Sequence, residues 1–545
     1  VLCEKPELIA NILITKEYND IGAYQVRFCK DGLWKVVIVD DFFPVSQHGT
    51  LAYSKAKDNQ LWVSLIEKAY AKLYGSYAAI AAGNVQDALS DLTGVPCDMI
   101  DLQVYNSSLP QMGPLDGDLV WAQLLSNRSA GFLMGASCGN HTVGGNAAGG
   151  DFSRVGLQKD HAYSILDVRD EGGHQLIQLR NPWGTLRESQ RAGTGEWNGD
   201  WSDRSTKWTP ELRRNLRVNS ANDGIFWMSF TDVLRYFRGI DVCKYQRQWH
   251  CWREENVFHL GGGSKLTSAA KDSKPTQRRA TAIADCDRPF CPFFMYELSV
   301  PTSTWAFISV TQPSLRGTRA PKPYIYNDIG LFISKTKNVK NVLDYRHHQH
   351  VKASFPKCER VMHCEVLLTD ASKDTRYLIL PTGMIKYFKT SVRMNFVVSI
   401  YSAKPVFVKR VPFNPPALVV STQLAATMAP GAEQRLGQDA SFYTLPGQSS
   451  HGACIYFVIL NKHQKQYLHV TTDLSRSYGL VSSRGTLQCR DCIPPLSRMI
   501  IMALLPSNIY DGFAYERSVS FTHRPAPALS EPPLGPSDFH QPYPL

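Results

Sequence analysis

Nowhere in the 545 residues does an apolar run approach the roughly 18–20 residues that carry a helix across a bilayer, so no membrane-spanning helix is expected. No Asp-x-Asp-x-Asp-Gly loop followed by Glu occurs, which argues against an EF-hand calcium module. Internal repeats are absent. The opening Val1 is not a Met, and Glu4, Lys5 and Pro6 interrupt the stretch that follows. This is no signal peptide, and it reads as the cut end of a longer protein. The thirteen cysteines are odd in number and scattered, which excludes a disulfide framework and points to reduced thiols in a cytoplasmic protein. Three Asn-x-Ser/Thr triplets, at Asn106, Asn127 and Asn140, then carry no glycan. Cys489 and Cys492 form a lone C-x-x-C without the two further ligands a zinc site needs. His347, His348 and His350 lack the helical spacing of a metal motif and read as a polar loop.

What is present is a globular composition, 43% hydrophobic and 11% aromatic, long enough for three or four domains. The net charge of +11 concentrates at Lys271, Lys274, Arg278 and Arg279, and again at Arg316, Arg319 and Lys322. Solvated loops explain these clusters first and weak contact with an anionic membrane second. Nucleic acid ranks last, because no base-reading motif accompanies the charge.

Along the chain, Ala23–Phe28 and Trp34–Val39 alternate like strands around an Asp31–Gly32 turn. Leu61, Trp62, Leu65, Ile66, Ala69 and Leu73 recur at three- and four-residue steps and predict a helix, with Ser54 or Asp58 as its cap. The pattern breaks near Pro110–Pro114, and a subdomain boundary is placed there. Beyond Trp249, short strands separated by Pro and Gly suggest an antiparallel sandwich. Another segment begins at Arg410–Pro416, and the Pro- and Ser-rich tail from Pro525 is expected to be disordered.

The chemistry concentrates in two strand-like runs, His161–Val168 and His174–Asn181. A hairpin centred on Glu171 would set His161 directly opposite Asn181, with Cβ atoms about 4.5–5.5 Å apart. An imidazole beside a carboxamide suits thiol chemistry. The imidazole takes the thiol proton and returns it to the leaving amine, and the amide oxygen fixes the tautomer. Without further context, a structural histidine and a turn Asn before Pro182 would be the plainer reading.

The surrounding blocks supply that context. Asp160–Ser164 (DHAYS), Leu179–Gly184 (LRNPWG), Leu61–Tyr77 (LWVSLIEKAYAKLYGSY), Asp91–Gly94 (DLTG) and Gly224–Phe230 (GIFWMSF) resemble blocks of the calpain family in order and spacing. The resemblance covers residues 1 to about 244. It implies an α+β, papain-like core in two lobes, 1–108 and 109–244, with the active site between them. His161 would be the general base, Asn181 its orienting partner, and Trp183 the shield over their hydrogen bond. In that family a Gln-x-x-x-x-Asp-Cys-Trp block holds the nucleophile and lies upstream of the stretch matching Glu4-Lys5-Pro6. Cys3 is therefore not the nucleophile, Cys138 reads as a small core residue, and the chain as given is expected to be inactive.

The resemblance further implies calcium as a regulatory cofactor, with Glu196, Asp203 and Asp223 as second-lobe ligands and Asp87 as a first-lobe ligand; exposed surface acids are the alternative. Ile225 stands where conventional calpains carry a carboxylate, which weakens the site. Residues 245–412 resemble the calpain β-sandwich. Residues 413–524 resemble the β-rich C-terminal domain of the small optic lobes subfamily, most clearly at Asn461–Val470 (NKHQKQYLHV). The implied function is calcium-dependent cysteine endopeptidase activity making limited intracellular cuts in protein substrates. Upstream zinc fingers would offer ubiquitin binding, and no EF-hand small subunit is expected. The alternative is a catalytically inactive calpain-like scaffold.

Overall fold

The computed structural model describes all residues except 55, 57–59, 103–114, 140–151, 184–194, 220, 222, 261–288, 293, 319–325, 385–392, 430, 447–454, 507–512 and 528–538. The chain divides into two compact units, Val1–Arg247 and Gln248–Leu545. Among the described residues no helix is long and apolar enough to cross a membrane. Asn106, Asn140, Asp58, the basic cluster at Lys271–Arg279, and Arg319 and Lys322 lie outside the described residues.

In the first unit, helix α1 (Pro6–Ile12) precedes a hairpin of β1 (Ala23–Lys30) and β2 (Leu33–Asp40). Asp31 and Gly32 both adopt positive φ, as the expected two-residue turn requires. Alternation turns Tyr24, Val26 and Phe28 of β1 and Val37 and Val39 of β2 to one face. Helix α2 (Trp62–Tyr74) covers that face with Leu65 and Ala69. Ser54 does not cap α2. It bonds instead to Glu67 within the helix, its backbone N–H and its hydroxyl each donating at 2.9 Å. Helix α3 (Val85–Thr93) completes the lobe.

The second lobe is a six-stranded antiparallel sheet in the order β3-β8-β4-β5-β6-β7. Its strands are β3 (Cys97–Asp101), β4 (Leu133–Cys138), β5 (Ala162–Glu171), β6 (His174–Arg180), β7 (Ile225–Ser229) and β8 (Phe237–Cys243). The expected break at 108/109 falls outside the described residues, and the chain has joined the second lobe's sheet earlier, at β3. Helix α4 (Gly117–Ser129), capped by the Asp116 side chain accepting from Leu119 N–H, packs Val120, Trp121 and Leu124 into the sheet's core. Two further helices, α5 (Pro210–Asn215) and α6 (Phe230–Tyr236), flank the sheet.

The register of β5 and β6 differs from the expected one. Gly172 and Gly173 form the turn, both at positive φ, so Glu171 pairs with His174. A bulge at Leu166 then shifts the ladder by one residue, and Ser164 faces Arg180. His161 and Asn181 are therefore not cross-strand partners. The Gly-Gly pair moved the turn off Glu171 because these two residues accept left-handed backbone without strain.

In the second unit a ten-stranded antiparallel sheet folds back on itself. Its interior is built from alternating residues such as Ile308, Val310, Ile329, Leu331, Ile333, Cys364 and Val366. Helix α7 (Pro415–Met428) follows, apolar on nearly every side and correspondingly buried. It packs Phe332, Leu378 and Leu380 of the sandwich on one flank. On the other lie Tyr443, Val458 and Ile500, in strands Ala440–Pro446, Ile455–Asn461 and Ser497–Pro506. The end of the chain departs from the expected disordered tail. Phe539 is buried, His540 Nδ1 bonds Ile500 carbonyl at 2.8 Å, and Tyr543–Pro544 pair with Ser497–Arg498. An apolar anchor and two ladder positions are enough to hold this short segment.

Because α7 joins both layers into one core, residues 248–545 should melt in a single calorimetric transition. Two resolved transitions would show the sandwich and the C-terminal domain to be independent. At Gly173, where a Cβ would meet nothing within 4 Å, substitution to Ala should cost about 1–2 kcal/mol through backbone strain alone, measured by urea denaturation.

Candidate active site

His161 and Asn181 sit just outside the ladder, one before β5 and the other after β6. Asp160 adopts positive φ and turns the chain so that its N–H donates to Cys138 carbonyl, while Cys138 N–H donates to His161 carbonyl. On the other strand, Asn181 N–H donates to Gly224 carbonyl at 2.8 Å. These backbone bonds place the two side chains together without a direct pairing.

The side-chain network has one consistent assignment. Asn181 is 1% exposed, and its Nδ2 donates to Gly195 carbonyl at 2.9 Å. Its Oδ1 accepts from Trp183 N–H at 3.1 Å and faces His161 Nε2 at 3.0 Å. An oxygen in that position can only accept, so Nε2 carries the ring proton and Nδ1 is left as the free base. The Trp183 indole lies 4.0 Å from the imidazole, centroid to centroid, while remaining 58% exposed. One of its faces thus covers the His161–Asn181 pair. Tyr163 meets the other side of the ring edge-on, and its hydroxyl accepts from Gln158 N–H at 2.8 Å. Sequence reasoning passed over Tyr163, although it stands two residues from His161 in the DHAYS block.

Burial holds the His161 imidazole below its ordinary pKa, partly opposed by the bond to Asn181, so the ring is neutral near pH 7. Cys138 is no substitute nucleophile. Its Sγ donates to Tyr236 carbonyl in the core, and burial, helped by the charge of Asp160, pushes the thiol up to about 12. Cys3 is exposed on a single helical turn, Leu2–Glu4. Among the described residues no thiol is hydrogen-bonded to His161.

The acidic residues expected as calcium ligands are brought together in part. Glu196 Oε1 accepts from Gly224 N–H at 2.6 Å, and Asp223 Oδ1 accepts from Ile225 N–H at 2.9 Å. Burial first, then the charges of Glu196 and Asp223, push Asp203 up to about 6. Burial raises Glu196 as well. Three carboxylates that repel one another, Glu196 buried and Asp203 and Asp223 partly so, match a hard divalent cation in charge and donor type. Their spacing is not a closed cage, since among the described residues no group of three side chains converges to hold a metal as it stands. Asp87 lies in the first turn of α3, where its charge acts on Asp241 of β8.

The acidic loops are fastened to the His161–Asn181 pair. Gly195 and Gly224, which hold the Asn181 side chain and backbone, each adjoin one of the acids. Asn198 stitches the first loop to residues 154–155, its N–H donating to Val155 carbonyl and its Nδ2 to Arg154 carbonyl. At Gly156 the approach is so close that a Cβ would sit 1.8 Å from Glu196 carbonyl.

The Cys489–Cys492 pair does not make a metal site. On one strand, Gln488–Ile493, three residues of separation turn Cys489 into the core and Cys492 to the opposite face.

Comparison with known proteins follows the same division of the chain. Residues 1–244 match the calpain family of cysteine proteases, and residues 426–527 match the calpain-D-like C-terminal domain. The chain is 37% identical over 384 residues to the calpain-type cysteine protease DEK1 of Arabidopsis thaliana. That match covers 69% of this chain and 16% of the relative. It is 30% identical to Calpain-5 of Mus musculus, covering 66% of this chain and 56% of that protein. To the Calpain-1 catalytic subunit of Rattus norvegicus it is 34% identical over 41% of this chain and 29% of that subunit. The chain thus spans about a sixth of the DEK1 relative.

An NMR titration should place the His161 midpoint below 6.5, and Asn181→Ala should lower it further by removing the acceptor that favours the charged ring. The folded-state pKa being depressed, the stability tied to this group is complete above about pH 6.5 and falls as the pH drops through the folded value. A midpoint at or above 6.5 would contradict the burial argument. Gly156→Ala should cost about 1–3 kcal/mol in chemical denaturation, because the Glu196 loop must move to admit the methyl group.

Proposed function

We propose that the chain, whose residues 1–244 belong to the calpain family of cysteine proteases, supplies the base half of a calpain-type cysteine endopeptidase that makes limited, calcium-dependent cuts in intracellular proteins. The observation that carries this reading is the His161–Asn181 bond, with Nε2–H donating and Nδ1 free to take a thiol proton. A thiol delivered to Nδ1 would be deprotonated as it attacks the substrate carbonyl. The same nitrogen would then protonate the departing amine. Trp183 excludes water from the hydrogen bond that fixes the ring. An inactive scaffold is the second reading, and it leaves unexplained why a buried, fully bonded Asn181 aims an unprotonated ring nitrogen outward.

In this proposal the 545-residue chain by itself turns over no peptide, because no thiol among the described residues faces His161. Peptide hydrolysis above background by this chain would sink that statement. A polypeptide in which a Gln-x-x-x-x-Asp-Cys-Trp block is joined ahead of this chain should hydrolyse peptide, and no turnover by it would favour the inactive scaffold. In a polypeptide that carries the block, His161→Ala should lower turnover roughly a million-fold. Asn181→Ala should cost less, on the order of a hundredfold or more.

Glu196, Asp203 and Asp223 would hold calcium, the cation relieving their mutual repulsion and tightening the two loops that grip Asn181. Calorimetric titration with calcium alone should show binding that Asp203→Asn weakens about tenfold. Unchanged affinity in the variant would remove these residues from the calcium site.

A further inference from the structure

The sandwich contains a cavity of about 590 Å³ between the segment that follows strand Asp328–Thr336 and the turn that precedes strand Arg376–Met384. Its lining residues are all of polar type, and Lys335, Lys337 and Arg346 among them are cationic. Lys335, near the end of the strand Asp328–Thr336, and Lys337, just past its end, both line the cavity. Arg346 and His347 come from the single helical turn Tyr345–His347, and Asn338 and Thr375 add an amide and a hydroxyl. The histidine cluster seen in the sequence divides here. His348 is a strut, its ring nitrogens bonded to Ser334 Oγ and to Val342 carbonyl, both at 2.9 Å. His347 also lines the cavity, with its side chain 62% exposed.

Two carboxylates partly balance this charge. Asp370 pairs with Lys335, and Asp344 accepts from Arg346 Nε and NH2, both at 2.8 Å, and lies 3.7 Å from His347 Nε2. Arg346 keeps further N–H donors after these two bonds, and its side chain is 74% exposed. Lys337 makes no contact ion pair among the described residues, although its charge also acts on Asp370. The volume exceeds what one phosphate group fills. A guanidinium fork beside two ammonium groups suits tetrahedral oxyanions carrying more than one negative charge.

We propose that this cavity binds a small phosphate ester or polyphosphate, held by Lys335, Lys337, Arg346 and His347. The ligand chemistry is shared by free phosphate compounds and by phosphorylated lipid headgroups. The test is calorimetric titration of the 545-residue chain with inorganic pyrophosphate at fixed ionic strength. Saturable binding is expected, weakened about tenfold in Lys337→Ala and again in Arg346→Ala. A control substitution on a distant basic group, Lys462→Ala, should leave it unchanged. Both cavity residues tested are exposed, and an unchanged circular dichroism spectrum would confirm that the variants fold. No saturable binding, or equal weakening by the control, overturns the proposal. Displacement of pyrophosphate by vesicles carrying phosphorylated inositol headgroups would support the site with a lipid source. Saturable binding without displacement would support it with a soluble source.

Discussion

The buried carboxamide of Asn181 is the constraint on which the geometry around His161 rests. One oxygen accepts from both His161 Nε2 and Trp183 N–H, and the amide nitrogen donates to Gly195 carbonyl. Each bond removes a way in which the amide could turn. With the nitrogen engaged by a carbonyl, the oxygen must face the imidazole, and with the oxygen there, the ring can present only its Nε2–H. A buried polar group left unpaired costs about 1–3 kcal/mol, so the network resists rearrangement as a set. The tautomer of His161 is thereby chosen by a backbone carbonyl on a neighbouring loop.

Those loops also carry the acids. Glu196 binds the backbone N–H of Gly224, whose carbonyl receives Asn181 N–H. Any change in the loop bearing Glu196 is felt at the residue that orients His161. The crowding of Glu196, Asp203 and Asp223 raises the energy of this region when it is uncompensated. The same loops therefore combine electrostatic tension with a mechanical link to the site.

In the second unit the dominant interaction is apolar. Helix α7 lies between the sandwich and the C-terminal strands, so the two share one interior. The calpain-D-like domain includes a fully buried ion pair, Arg484 with Asp491, at 2.6 Å. Arg484 also donates to Ile501 carbonyl, which offsets part of the cost of burying its charge. This domain is built as part of its neighbour's core rather than as a module on a tether.

Much of this was legible in the linear order of residues. The Asp31–Gly32 turn, the apolar face of α2, the alternating strands of the sandwich and the blocks around His161, Asn181 and Trp183 all depend on local spacing. That is the information a sequence holds. What spacing could not carry is the register of β5 and β6. The Gly172–Gly173 turn and the bulge at Leu166 displace the expected pairing, and the pair meets because both residues lie beyond the ladder's end. The order of residues 539–545 depends on a pocket built by strands some forty residues earlier. The separation of His347 from His348, the opposite faces of Cys489 and Cys492, and the gathering of three acids from two loops are likewise products of packing. The sequence by itself determined which chemical groups are available and which local segments they occupy. The tertiary structure decided which groups meet, because hydrogen bonds between distant loops select the partners.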